Sequence, residues 1–223
     1  MPSNAFQSFK NNLEDIERIK EAYNHVKGNG RGKRSLDHFT RSGILLLAAY
    51  WELYIEEVLT ESVEILLDNV ETIESLPKST QHMLYNYIME NSTERNLLPL
   101  RLANDGWKKL YKEILLNRLE SFHTPKTDNI NSLFKKFLGC KEISRQWSKD
   151  KEKSKQQSKF IDSFISHRGE IAHRGKSEDY QKIDILNSYI KVITEIAILT
   201  DNYLTEYLAG TTTERRPWNR IKT

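Results

Sequence analysis

Ser42 to Leu59 reads SGILLLAAYWELYIEEVL, and the fold turns on this stretch. Its uninterrupted apolar run, Ile44 to Trp51, is far short of the ~20 residues that a bilayer span needs. It shows no alternation of period two between hairpin turns, as a half-buried strand would. A helix that is apolar almost all round is buried on every side. From Glu52 onward, Glu56, Glu57, Glu61 and Glu64 mark a solvated side. The spacing predicts a long helix, capped by Ser35 and running to about Val70, as the most buried element of the domain.

Working outward, Phe6, Phe9, Leu13, Ile16, Ile19, Tyr23 and Val26 form one stripe of an amphipathic helix that Gly28 stops. Pro77 opens a short helix to about Glu90. Trp107, Leu110, Tyr111, Ile114, Leu115 and Leu119 define another, and Ile130, Leu133, Phe134 and Phe137 a shorter one that ends at Gly139. A last long helix, with Ser177 as a cap, is predicted from about Asp179 to Leu208 and ends at Gly210. The sum is an all-α bundle of five to seven helices with two long antiparallel core helices, those of Ile44 and Ile183. The expected division is residues 1–34 as an N-terminal helix and basic loop, 35–209 as the helical domain, and 210–223 as a flexible tail.

Composition narrows the function. Net charge is only +3, so affinity for nucleic acid must come from local clusters. Two exist, KGNGRGKR at Lys27–Arg34 and KDKEKSKQQSK at Lys149–Lys159, and both read first as solvated loops. The glycine-rich one lacks the spacing of a phosphate loop and follows no strand, which excludes nucleotide hydrolysis by that route. Cys140 is the single cysteine, so there is no intrachain disulfide, and a reducing compartment suits the chain. The N-terminus MPSNAFQSFKNN has no apolar core of a signal peptide, and a cytoplasmic location without membrane attachment is expected. No Cys/His spacing suggests zinc, and the acidic face after Glu52 reads as solvated charge, so neither a metal nor a cofactor is expected.

The chemistry-bearing stretch is FISHRGEIAHRGKSED, Phe164 to Asp179. Phe160, Phe164, Ile165, Ile171 and Ala172 anchor it, while His167, Arg168, Glu170, His173, Arg174 and Lys176 are expected to point away. Arg168 and His173 form an R-x4-H pair. A second pair, Arg118 and His123 in RLESFH, lies at an exposed helix end and reads as a decoy. Five residues turn an ideal helix through ~500°, leaving Arg168 and His173 ~140° apart. They converge only if the helix ends or bends near Gly169 or His173, or if two copies meet across a two-fold axis. The plain alternative is that His173 and Arg174 cap a helix C-terminus.

HRGEIAHRG resembles the R-x4-6-H motif of HEPN domains. RSGILLLAAYWELYIEEVLTESV resembles the long early helix of one branch, and TPKTDNINSLFKKFLGCKEISRQW its middle segment. Order and spacing are similar to HEPN domains of the RiboL-PSP type, or the close MAE-type group, over roughly residues 35–208. The resemblance implies a four-to-five-helix core, a homodimer formed through the motif helices, and in many members a metal-independent endoribonuclease serving as a toxin or in anti-phage defence. It makes Arg168 the motif arginine and His173 the motif histidine. Gly169 departs from the polar residue common after the arginine. Gly175 stands where some members carry a tyrosine modified by a nucleotidyltransferase antitoxin.

RNA carries its own nucleophile, the 2′-hydroxyl. In the implied reaction the catalytic pair is His173, exchanging protons with the reacting oxygens, and Arg168, holding the phosphate by a forked pair of hydrogen bonds. Glu170 is expected to support them by orienting an imidazole or balancing Arg168, and Arg174 and Lys176 to follow the RNA backbone. The partners implied are RNA, a second copy of the chain, and an antitoxin or defence-system protein. The alternative is a non-catalytic HEPN module that binds RNA, a nucleotide or a protein; a plain helical interaction protein is the third reading.

Overall fold

In a computed structural model, residues 1–27, 36–93, 98–174, 182–212 and 215–222 are described, Arg174 through its backbone alone. They form seven α-helices: α1 (Asn4–Lys27), α2 (Asp37–Asp68), α3 (Lys78–Asn91), α4 (Gly106–Glu120), α5 (Thr127–Leu138), α6 (Lys151–Arg174) and α7 (Ile183–Thr212). Short 3-10 turns at Ile73–Ser75, Leu98–Leu102 and Ile143–Trp147 join them, and the described residues contain no strand. The expected cap Ser35, the stop at Gly28 and the cap Ser177 lie outside the described residues.

α2 is the axis of the bundle. Ile44, Leu47, Trp51, Tyr54, Ile55, Val58, Leu59, Val63, Leu66 and Leu67 have no exposed surface. Burying a large apolar side chain contributes ~1.5–3 kcal/mol each, so α2 alone supplies a large share of the driving force. Two of its buried aromatic side chains have polar partners: Tyr54 donates to Ala197 O at 2.9 Å and Trp51 Nε1 donates to Pro125 O at 3.3 Å.

The two long helices do not run antiparallel. Gly43 meets Leu186, and Tyr54 meets Ala197 eleven residues further along both chains, so α2 and α7 run in the same direction. A Cβ on Gly43 would fall 2.4 Å from Leu186 Cδ2, so the close crossing needs the missing side chain. The antiparallel neighbour of α2 is α1: Glu61 accepts from the Asn4 and Ala5 backbone N–H groups, and Asp15 accepts from Tyr50 Oη at 2.8 Å. Phe6, Phe9 and Ile16 of α1 belong to the same core as α2.

Two further expectations change. The Lys149–Lys159 cluster is largely helix, because Asp150 Oδ1 accepts from the Glu152 and Lys153 N–H groups and starts α6 there. Ser154 and Gln157 form its buried side. At the other end α7 runs through Gly210 to Thr212, and the tail is docked rather than loose. Trp218 is buried, its Nε1 donates to Asp201 O at 3.1 Å and its carbonyl accepts from Thr205 Oγ1 at 2.7 Å. Asn202 exchanges two bonds with Ile221, and Asn219 N donates to Met1 O, so both chain ends meet on α7.

Asp201 lies under that clasp, fully buried, accepting from the Ser3 hydroxyl. Burial pushes its carboxyl up to about 6, against the pull of Ser3 and with a further push from Glu61. Folding therefore takes up a proton between the ordinary carboxylate range and pH 6. The resulting stability is full below pH ~4 and is lost as pH rises through 6, a change of at most about 3 kcal/mol. Asp201→Asn should flatten the slope of stability against pH between 4 and 6.5, measured by urea unfolding; an unchanged slope would show that Asp201 is not its source.

Candidate functional site

α6 is a 24-residue helix with one apolar side. Ile161, Phe164, Ile165 and Ile171 are buried. The helix lies antiparallel to α7, where Tyr189 contacts the rings of Phe160 and Phe164 at 5.4 and 4.8 Å and Lys153 pairs with Glu195 at 2.7 Å. This packing sets the rotation of α6 about its own axis.

That rotation separates the motif pair. α6 continues through Gly169 to Arg174 as one helix, so it does not end between Arg168 and His173. Arg168 is half-buried and leaves the helix on the side of Ile161, Ile165 and Ala172, within ~60° of each. His173 is exposed, ~140° away. Glu170, also exposed, is ~60° from His173 and ~160° from Arg168, so it shares the histidine's side and does not balance the arginine. Lys176 and the Arg174 side chain lie outside the described residues.

His167 does not point away as expected. It is 3% exposed and its Nδ1 lies 3.1 Å from Tyr189 Oη. Burial lowers its pKa, and the Glu170 charge opposes that shift. With Asp162, Ser163, Ser166 and Glu170 it lines a polar hollow of about 310 Å³ on the His173 side of α6. Its register, one residue before the arginine, hides this role, because period alone places it beside polar neighbours.

The arginine's side faces a residue that sequence reasoning assigned to solvent. Glu52, on α2, has a side chain only 21% exposed. Burial raises its pKa, while first the Arg168 charge and then the His123 charge pull it back. His123 Nδ1 lies 4.0 Å from Glu52 Oε1. The Trp51–Pro125 hydrogen bond explains this: it ties the loop after α4 to α2 one residue from Glu52. The expected decoy thus splits. Arg118 stays exposed and bonds Ser121 Oγ at 3.2 Å, whereas His123 stands 4.0 Å from Glu52.

Glu52 and His123 close one end of a groove of about 840 Å³ between the start of α1, α2 and the end of α4. Glu56, Glu57, Glu61, Glu64 and Glu120 line the rest, over partly exposed Leu53 and Leu116. Burial raises the pKa of Glu56, with Glu52 and Glu57 adding to the rise and His123 opposing it. This is a one-sign field that repels phosphate. Among the described residues no group of three or more His, Cys, Asp or Glu is arranged to hold a metal ion, and no helix is long and apolar enough to cross a membrane. Cys140 is buried and its thiol is pushed up to about 12 by that burial, as a packed residue rather than a nucleophile.

An all-helical bundle carrying an Arg and a His near the end of its penultimate helix has the features of a HEPN domain. The RiboL-PSP-HEPN family model matches residues 8–206, and the chain belongs to that family. No curated protein and no solved structure matches it. The family match begins inside α1, consistent with α1 sharing the core.

Gly169 is open to a direct test. A Cβ there meets nothing within 4 Å, and the position is helical. Gly169→Ala should raise stability by about 0.5–1 kcal/mol through helix propensity. Gly139→Ala, at φ 79° with a Cβ 2.4 Å from Pro77, should destabilise instead. Thermal melts of both variants check this; loss of stability in Gly169→Ala would mean α6 is not a straight helix there.

Proposed function

We propose that the chain is a metal-independent endoribonuclease of the HEPN type, acting as a toxin or in anti-phage defence through a site completed by two copies. The observation that carries this reading is the unbroken α6 of a HEPN-family chain that has both Arg168 and His173 near its end. With ~140° between them, one chain offers a phosphate clamp on one side and an imidazole on the other. Two motif ends meeting across a two-fold axis would set the arginine of one beside the histidine of the other and supply two imidazoles.

The reaction follows from those groups. The 2′-oxygen attacks the adjacent phosphorus as one imidazole takes its proton. The bond to the 5′-oxygen breaks as an imidazolium gives that oxygen a proton. The products are a 2′,3′-cyclic phosphate and a free 5′-hydroxyl, with no change in net proton count. Arg168 offsets charge on the phosphate oxygens in the transition state. The nucleophile belongs to the substrate, so no metal is needed to make hydroxide. RNA would approach from the α6 end, away from the acidic groove, with Arg174 and Lys176 as the backbone contacts and Glu170 beside His173.

A second reading has its own support. Arg168 is half-buried and its charge acts on Glu52, and Gly169 replaces the usual polar residue. Both features suit a non-catalytic HEPN module that binds RNA, a nucleotide or a protein partner.

Purified chain in chelator should cut single-stranded RNA to 5′-hydroxyl fragments. Substrate with 2′-deoxy at the cut nucleotide should resist. Arg168→Ala and His173→Ala should each lower the rate at least about 100-fold with circular dichroism unchanged. Light scattering at micromolar concentration should give a dimer, and induced expression should arrest growth for the wild type but not for His173→Ala. Products with 5′-phosphate, or activity lost to chelator, would refute the mechanism. No cleavage of any RNA would favour the binding module.

A further inference from the structure

We propose that the outward side of α7 between Ile190 and Leu199 is a docking groove for an acidic amphipathic helix of a partner protein. Tyr189, Ile193, Ile196, Ala197 and Thr200 form the buried side of α7 over this stretch. Ile198 and Lys191 lie ~140° and ~160° round the helix from Ile193. This outward side is not uniformly polar: Ile190, Ile198 and Leu199 are only partly buried. With Trp147, Ser148 and the start of α6 they line a largely apolar groove of about 810 Å³. From Ile190 to Leu199 it follows α7 for ~13 Å, between two and three helical turns.

The next part of the same side is already covered. Asp201, Asn202 and Thr205 lie ~80–180° from Ile193, and the chain's own C-terminal segment docks on them. Trp218 Nε1 donates to Asp201 O, Thr205 Oγ1 to Trp218 O, and Asn202 Nδ2 to Ile221 O. Arg216 pairs with Glu206 at 2.8 Å. That segment brings an apolar anchor and charges opposite to those of α7. The groove continues this face uncovered, and its charge has the other sign. Lys149, Lys153 and Lys191 line it against the single carboxylate of Glu195. Lys153 pairs with Glu195 at 2.7 Å. Lys149 and Lys191 are exposed and have no ion pair among the described residues.

The occupant must cover Ile190, Ile198 and Leu199 and bring carboxylates to lysines on both walls. Ile190, Thr194 and Ile198 stand four residues apart as a ridge, the shape that fits between two side-chain rows of a second helix. A helix with an apolar stripe flanked by Glu or Asp meets both demands. A phosphate backbone meets only the lysines and leaves the apolar floor bare. Exposed lysine–carboxylate pairs are each weak, so the apolar stripe supplies the affinity and the lysines select the sign of the partner. Lys153 and Arg168 are ~22 Å apart along α6, which sets the groove far from the motif end. The proposal therefore does not rest on the ribonuclease reading.

The probe is a fluorescently labelled peptide of about 15 residues, with leucines every three or four positions and glutamates beside them. Its control carries lysines in place of the glutamates. Fluorescence anisotropy should show the acidic peptide binding and the lysine peptide not, with added salt weakening the complex. Lys149→Glu/Lys191→Glu and, separately, Leu199→Ser should each weaken binding about tenfold or more. Lys159→Glu, at an exposed position of α6 outside the groove, should bind as wild type. The lysine variants alter only exposed side chains, so they decide the matter even where Leu199→Ser fails to fold. No binding of the acidic peptide, equal binding of both peptides, or the same loss in Lys159→Glu would overturn the proposal. Displacement of the peptide by single-stranded RNA with the same lysine dependence would overturn it in favour of a nucleic-acid surface. A changed oligomeric state of Lys149→Glu/Lys191→Glu in sedimentation would overturn it by giving the groove to a second copy of the chain.

Discussion

Everything distinctive about the site depends on how α6 is rotated. Ile161, Phe164, Ile165 and Ile171 must be buried, and the Tyr189 ring against Phe160 and Phe164 holds that orientation from α7. Once these contacts are made, nothing is left free about the polar residues between them. Arg168 must turn toward α2, His167 toward Tyr189, and His173 toward solvent. The Arg168–His173 pair, written five residues apart, is thereby placed on two sides of one helix by the burial of its neighbours. In the proposed function, the part given to a second chain follows from this packing rather than from the chemistry of the pair.

The same packing organises charge. α2 is buried along most of its length, so a carboxylate one residue after Trp51 cannot reach bulk water fully. Burial raises the Glu52 pKa, and the Arg168 and His123 charges oppose that rise. The rest of its acidic side opens into the groove, where carboxylates face one another. The anionic groove ends at Glu52 and His123. Such a groove repels a phosphate chain, so in the proposed function RNA comes from the motif end instead.

Much of the fold was legible in residue spacing. The apolar stripe from Phe6 to Val26, the all-round apolar run of Ile44–Trp51 and the stripe of Ile130–Phe137 each became a helix within a few residues of the expected ends, because apolar periodicity reports the buried side directly. The relative direction of α2 and α7 was not legible. It depends on the contact of Gly43 with Leu186, which no local pattern reveals. The docking of Trp218 on α7 was hidden for a similar reason: a short stretch with charges and a proline looks loose until its partners Asp201, Asn202 and Thr205, a dozen or more residues away, are known. In the candidate site, Arg168 and His173 are what the motif resemblance offers. Glu52 and His123 were not, since Glu52 looks like its solvated neighbours and His123 looks like a loop residue. The Trp51–Pro125 bond ties the loop that carries His123 to α2 one residue from Glu52.

The central claim is that the motif ends of two chains meet because one straight α6 cannot bring Arg168 and His173 together. Ala172 lies between the two and is exposed, and the one native thiol, Cys140, is buried. The direct measurement is mild oxidation of the Ala172→Cys chain at micromolar concentration, with Asn11→Cys on the exposed side of α1 as control. The account predicts a disulfide-linked dimer from Ala172→Cys and none from Asn11→Cys. A chain that stays monomeric under those conditions, or that links through position 11 instead, would contradict it.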